Sequence, residues 1–156
     1  METKSKDDKR FSTEERRALA TVPWIVGAAV SEVDKGGAQE AANAEMRAMN
    51  AAIHGGIAAF SSDTMIDLVE EVELVRWATA KAEVVSRCSN ALALIKAKGT
   101  AEEVEAYKKL IMDVAYEVAR ASGSGFAGLG KKVSDLESGM IDTIARAMDA
   151  IHLKAK

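Results

Sequence analysis

Apolar residues recur along most of the chain at intervals of three and four positions, the spacing of an α-helix with one buried face. The clearest run lies in the second half and comprises Val104, Tyr107, Leu110, Ile111, Val114 and Val118. A similar run comprises Leu136, Met140, Ile141, Ile144, Ala147, Met148 and Ile151. We find no stretch with the strict apolar–polar alternation of a half-buried strand. The pattern therefore predicts an all-α fold.

Three helix starts are predicted by capping boxes. In this motif a serine or threonine hydroxyl accepts a hydrogen bond from the third helical amide, and a glutamate three residues later accepts one from the amide of the cap residue. The spacing occurs at Ser12 with Glu15, Thr100 with Glu103, and Ser134 with Glu137. Gly99, just before the second box, is predicted to end the preceding helix in the left-handed backbone region, which glycine enters without strain.

Two features divide the first third of the chain. Pro23 is expected to break a helix because proline lacks the amide donor and clashes with the preceding turn. We therefore predict that a new helix begins at Pro23, with Thr21 as its cap, and that Gly27 lets another helix approach closely. The next helix is predicted from Ala38 to Ile53, ending at His54-Gly55-Gly56.

The stretch from Thr64 to Lys98 contains no glycine or proline and keeps a helical rhythm. It fits one long helix or two helices that meet near Ser86 to Ser89, and we favour one long helix. The chain also has a weak internal echo, because an apolar helix, a glycine-containing loop and an acid-bearing helix occur twice, at Trp24 to Met49 and at Val104 to Met148.

These elements predict a compact bundle of five to seven helices, with two pseudo-repeated halves around one long central helix. We expect residues 1–11 to form a flexible tail, because the first ten are polar and highly charged. Residues 12–156 are expected to form a single all-helical domain. A chain of this length would bury about two-thirds of its unfolded surface.

Composition narrows the range of partners. Hydrophobic residues make up 48% of the chain but aromatic residues only 4%, which favours close-packed, alanine-rich helices over a β-sandwich. The net charge of −3, without a basic stripe, argues against nucleic acid as a partner. The single cysteine, Cys88, rules out an internal disulfide, and the reducing cytosol is the simplest location. No apolar run approaches the roughly twenty residues of a membrane span, and the charged N-terminus lacks a signal core.

A glycine-rich stretch, Gly123 to Lys132, separates the last two predicted helices. It contains the phosphate-binding pattern GxGxxG and nearly matches a Walker A loop, although Lys132 stands where a hydroxyl would hold magnesium. Both motifs require a strand before the loop, and the pattern here is helical. We interpret the stretch as a connector. The weaker alternative is that it binds an anion through four of its residues: Gly125, Gly128, Gly130 and Lys131.

The second copy of the echo contains Ala115-Tyr-Glu-Val-Ala-Arg-Ala and Val133-Ser-Asp-Leu-Glu137. The first contains Val33-Asp34-Lys-Gly36-Gly37 followed by Glu40. These segments resemble the tellurite-resistance TerB-like family of helical bacterial proteins, in which a helix runs into an Asp-Gly loop and a glutamate-bearing helix. The resemblance implies an all-helical bundle, a link to bacterial stress responses and divalent-cation binding by acids. The loop aspartate is missing from the second copy.

Oxygen ligands for a divalent cation are available at two places. One set comprises Asp34, Glu40 and Glu45, and the other Asp63 and Asp67. We favour the interpretation that these acids cap helices or face water, with cation binding as the alternative. A di-iron site is nearly excluded because neither histidine lies three residues after a glutamate. Cys88 lies within a predicted helix and is interpreted as a small packing residue rather than a nucleophile.

Three functions remain. The first is a non-enzymatic helical interaction module of a bacterial cytoplasmic protein, which binds a protein partner or a second copy of itself through an apolar helical face. It needs no cofactor, no nucleic acid and no membrane. The second is a TerB-like divalent-cation-binding domain that uses Asp34 with Glu40 or Glu45. The third is a small-anion or nucleotide-binding enzyme that uses the glycine-rich loop.

Overall fold

The computed structural model describes residues 10–33, 39–57, 77–122 and 135–151. These residues form five α-helices: α1 (Thr13–Val33), α2 (Gln39–Ile57), α3 (Trp77–Lys98), α4 (Ala101–Ser122) and α5 (Asp135–Ala147). No β-strand occurs in the described ranges, so the predicted all-α class is confirmed. The predicted total of five to seven helices concerns the whole chain and stays a prediction. The two-fold repeat of halves stays a prediction.

Two described helices, α1 and α4, each contact all four of the others, and α1 is the central helix because it is the more completely buried of the two. Its middle is buried on every side, as expected for a helix that is apolar all round. The buried residues include Leu19, Ala20, Val22, Ile25, Val26, Ala28, Ala29 and Val30. The sequence predicts the central helix within Thr64 to Lys98. Its described part is α3, which has an exposed face, and residues 64–76 lie outside the described residues.

The predicted break at Pro23 is wrong, because α1 runs through it without interruption. Proline removes the amide that would bond to the carbonyl four residues earlier, here that of Leu19. The hydroxyl of Tyr107, on α4, donates to this carbonyl at 2.8 Å and takes the place of the missing amide. Thr21 caps no helix; its hydroxyl donates back to the carbonyl of Arg17 at 2.7 Å.

Burial keeps the Tyr107 hydroxyl in its donor form. The side chain is 0% exposed, and desolvation raises the pKa of Tyr107 well above its usual range. The phenol therefore stays protonated at neutral pH and available as the donor to the Leu19 carbonyl.

Two of the predicted capping boxes are confirmed. At Ser12 and Glu15 the reciprocal bonds measure 2.9 and 3.0 Å, and at Thr100 and Glu103 they measure 3.0 and 3.1 Å. The third box cannot be assessed because Ser134 lies outside the described residues.

Ion pairs link the two boxes. Lys98, at the end of α3, bonds both carboxylate oxygens of Glu15 at 2.7 and 2.9 Å. Arg10 bonds both oxygens of Glu103 at 2.7 and 3.0 Å. Phe11, the last residue of the predicted tail, is 1% exposed and part of the core. The start of α1 is thereby fastened to the turn between α3 and α4.

Two glycines lie where the structure leaves no room for a side chain. A Cβ atom at Gly27 would lie 2.6 Å from the sulfur of Met49, so the predicted close approach of another helix is confirmed, and that helix is α2. Gly99 follows the end of α3 as predicted, but its backbone is not in the left-handed region. A Cβ there would lie 2.8 Å from the carbonyl oxygen of Ile95, so close contact excludes a side chain.

The last described helix ends in a Schellman motif. The amide of Ala150 bonds the carbonyl of Ala145, and the amide of Asp149 bonds that of Arg146, with Asp149 at φ 52°. Ile141, Ile144 and Met148 are buried as the apolar pattern predicts. Leu136 and Ile151, at the two ends of that pattern, are 58% and 50% exposed, so their predicted burial is wrong. Within the described ranges, each helix is too short or too polar to cross a membrane.

Replacing Tyr107 with phenylalanine tests the role of the buried hydroxyl. Tyr107→Phe leaves the Leu19 carbonyl buried without its donor, and we expect the free energy of unfolding to fall by about 1–3 kcal/mol. In a Pro23→Ala background the restored amide satisfies the same carbonyl, so the same substitution should cost at least about 1 kcal/mol less. Urea denaturation of the four proteins of this double-mutant cycle measures the difference. An equal cost in both backgrounds would contradict the assigned role.

The Lys98 bond to Glu15 predicts a pH dependence. Lys98, and next the Ser12 amide, lower the pKa of Glu15 below its usual 4.5. Its contribution to stability is therefore complete above the ordinary pKa and is lost as the pH falls through the lowered one. Glu15→Gln keeps the capping bond but removes the charge. The variant should be less stable than the wild type near neutral pH, and the gap should close below about pH 4.5. Chemical denaturation of both proteins, from neutral pH to below about pH 4.5, measures the difference in their free energies of unfolding. A difference that does not change with pH would count against the ion pair.

Candidate functional site

The described residues form a groove between α2 and α4. Its volume is about 470 Å³. Three of its lining residues come from the last two turns of α2 and five from α4: Ala52, Gly55 and Gly56, with Ala106, Lys109, Leu110, Asp113 and Glu117.

The groove exists because the α2 wall carries almost no side chains. Glycine at position 56 lets α2 lie against α4, since a Cβ there would lie 2.6 Å from Cδ1 of Leu110. At Gly55 a Cβ would meet no atom within 4 Å, so this position faces open space. Ala52 and Ala106 add only methyl groups. The result is a shallow floor of small residues above Leu110, whose side chain is buried.

The predicted end of α2 at His54-Gly55-Gly56 is wrong, because the helix continues to Ile57. Nδ1 of His54 lies 2.8 Å from the carbonyl oxygen of Asn50, inside the helical turn. Glycine weakens a helix by about 1 kcal/mol but does not end one that gains tertiary contacts. Here the contact of Gly56 with Leu110 outweighs the low helix propensity of two consecutive glycines.

The charged residues of the groove are paired along α4. Nζ of Lys109 lies 2.8 Å from Oδ2 of Asp113. Glu117 accepts a hydrogen bond from Nη1 of Arg120 at 2.6 Å, and the same guanidinium lies 5.5 Å from the centre of the Tyr116 ring. The rim is therefore locally neutral, with a polar edge on the α4 side and an apolar edge on the α2 side.

The structure describes only one of the predicted cation ligands. The carboxylate of Glu45 is buried and accepts a hydrogen bond from the hydroxyl of Ser31 at 2.5 Å, across the α1–α2 contact. Asp34 and the side chain of Glu40 lie outside the described part of the chain, as do Asp63 and Asp67. Among the side chains that are described, no group of three or more metal-binding residues occurs. Cation binding stays a prediction.

The weak anion candidate also falls outside the described residues, since the structure does not describe 123–134. That range contains all four of its members: Gly125, Gly128, Gly130 and Lys131. The anion-binding hypothesis therefore stays a prediction too.

Cys88 is confirmed as a packing residue. It is 0% exposed in the core, and burial raises the pKa of its thiol to about 12. The thiolate, the form that acts as a nucleophile, is therefore almost absent at neutral pH.

The sequence interpretation missed the groove. One signal was available, because small residues recur at every fourth position of α2, at Ala48, Ala52 and Gly56. Positions four apart lie on the same side of a helix, so this series marks a face that a second helix can approach closely. The prediction that α2 ends at the two glycines leaves Gly56 out of this series.

Comparison with known proteins adds no assignment. The chain matches no protein-family model, no curated protein and no solved structure. The resemblance to the TerB-like family therefore stays a prediction, and function is inferred from the geometry of the groove.

Alanine at the two adjacent glycines provides a matched test of this geometry. Gly55→Ala adds a methyl group in open space and should raise the free energy of unfolding by about 0.5–1 kcal/mol, because alanine favours the helix. Gly56→Ala offers the same gain but must displace Leu110, so it should be at least about 1 kcal/mol less stable than Gly55→Ala. Thermal or urea denaturation measures both variants. Equal stabilities would show that α2 and α4 do not meet at Gly56.

Proposed function

We propose that the chain is a non-enzymatic helical interaction module of a bacterial cytoplasmic protein. It binds an apolar helix, from a protein partner or from a second copy of the chain, in the groove between α2 and α4. The single observation that carries the proposal is the groove itself, with its volume of about 470 Å³ and its floor of glycine and alanine.

The shape of the groove supports helix binding. An amphipathic helix docks by laying a few apolar side chains, three or four positions apart, into a groove. The α2 wall, formed by Ala52, Gly55 and Gly56, leaves room for such side chains, and the half-buried methyl groups of Ala52 and Ala106 give them an apolar surface. Because the α2 wall consists mainly of backbone and methyl groups, docking orders few long side chains of this wall, and that part of the entropic cost of binding is small.

The charges at the rim support an apolar occupant. Burying an unpaired charge in an interface costs several kcal/mol. Lys109 and Asp113 pair with each other, and Glu117 pairs with Arg120, so an apolar helix face that covers the floor leaves these charges neutralised. The side chains of Lys109 and Asp113 are 68% and 48% exposed, and the partly open pair can stay hydrated at the edge of the complex.

Filling the groove without disturbing the fold tests the proposal. Gly55→Gln places a neutral, helix-favouring side chain over the floor. Gly139→Gln, in α5, is the matched control, because both glycines are exposed and a Cβ at either position meets no atom within 4 Å. Both variants should unfold at or above the temperature of the wild type.

Association is measured by sedimentation velocity for self-binding and by quantified pull-down from a bacterial lysate for a partner. We expect the complex formed by the wild type and by Gly139→Gln to be weakened at least about tenfold by Gly55→Gln, a change of about 1.4 kcal/mol. A complex that both glutamine variants retain at full strength would place binding elsewhere. A wild type that forms no complex in either assay would overturn the interaction function.

A further inference from the structure

We draw no further inference here: the strongest candidate, the exposed face of α3 formed by Ala82, Val85, Ser86, Ser89 and Ala93, is mostly a stripe of small residues, and nothing in the structure shows what covers it.

Discussion

The hydrogen bond from the Tyr107 hydroxyl to the Leu19 carbonyl allows the central helix of this bundle to contain a proline. A buried carbonyl without a donor costs about 1–3 kcal/mol, a large part of the stability of a domain this size. The bond offsets that cost and also joins α4 to the middle of α1. The proline therefore leaves a free carbonyl within α1, and α4 crosses the central helix where Tyr107 can donate to it.

The remaining contacts follow from an uninterrupted α1. The core forms around its buried middle, and the interlinked capping boxes hold its start against the turn between α3 and α4. The absence of a side chain at Gly27 lets Met49 of α2 pack against α1. The absence of a side chain at Gly56 lets the end of α2 pack against Leu110 of α4. Small residues at these two contacts allow α2 to pack closely against its neighbours. They also leave the last two turns of α2 with almost no side chains on the side that faces the groove. The groove is thus a by-product of the packing that holds α2 in place.

Interactions within one helical turn were predictable from the sequence, whereas interactions between residues far apart in the chain were not. The capping boxes at Ser12 and Thr100 were correct because both partners lie within one turn. The predicted break at Pro23 was wrong because the donor that compensates for it, Tyr107, lies 88 positions from Leu19 in the chain, and a local pattern does not show it. The end of α2 at Gly55 and Gly56 was wrong for the same reason, since Leu110 supplies the contact that extends the helix. The groove depends on how α2 and α4 align, which no single periodic pattern specifies.

The most direct test of a continuous α1 is the backbone ¹³Cα chemical shift of each residue from Leu19 to Gly27 in the wild-type protein. Helical residues have shifts displaced downfield from their random-coil values. The structure predicts this displacement at every position of the segment, including those on either side of Pro23. Shifts near random-coil values at Thr21 and Val22, with helical values resuming after Pro23, would show two helices and contradict the account.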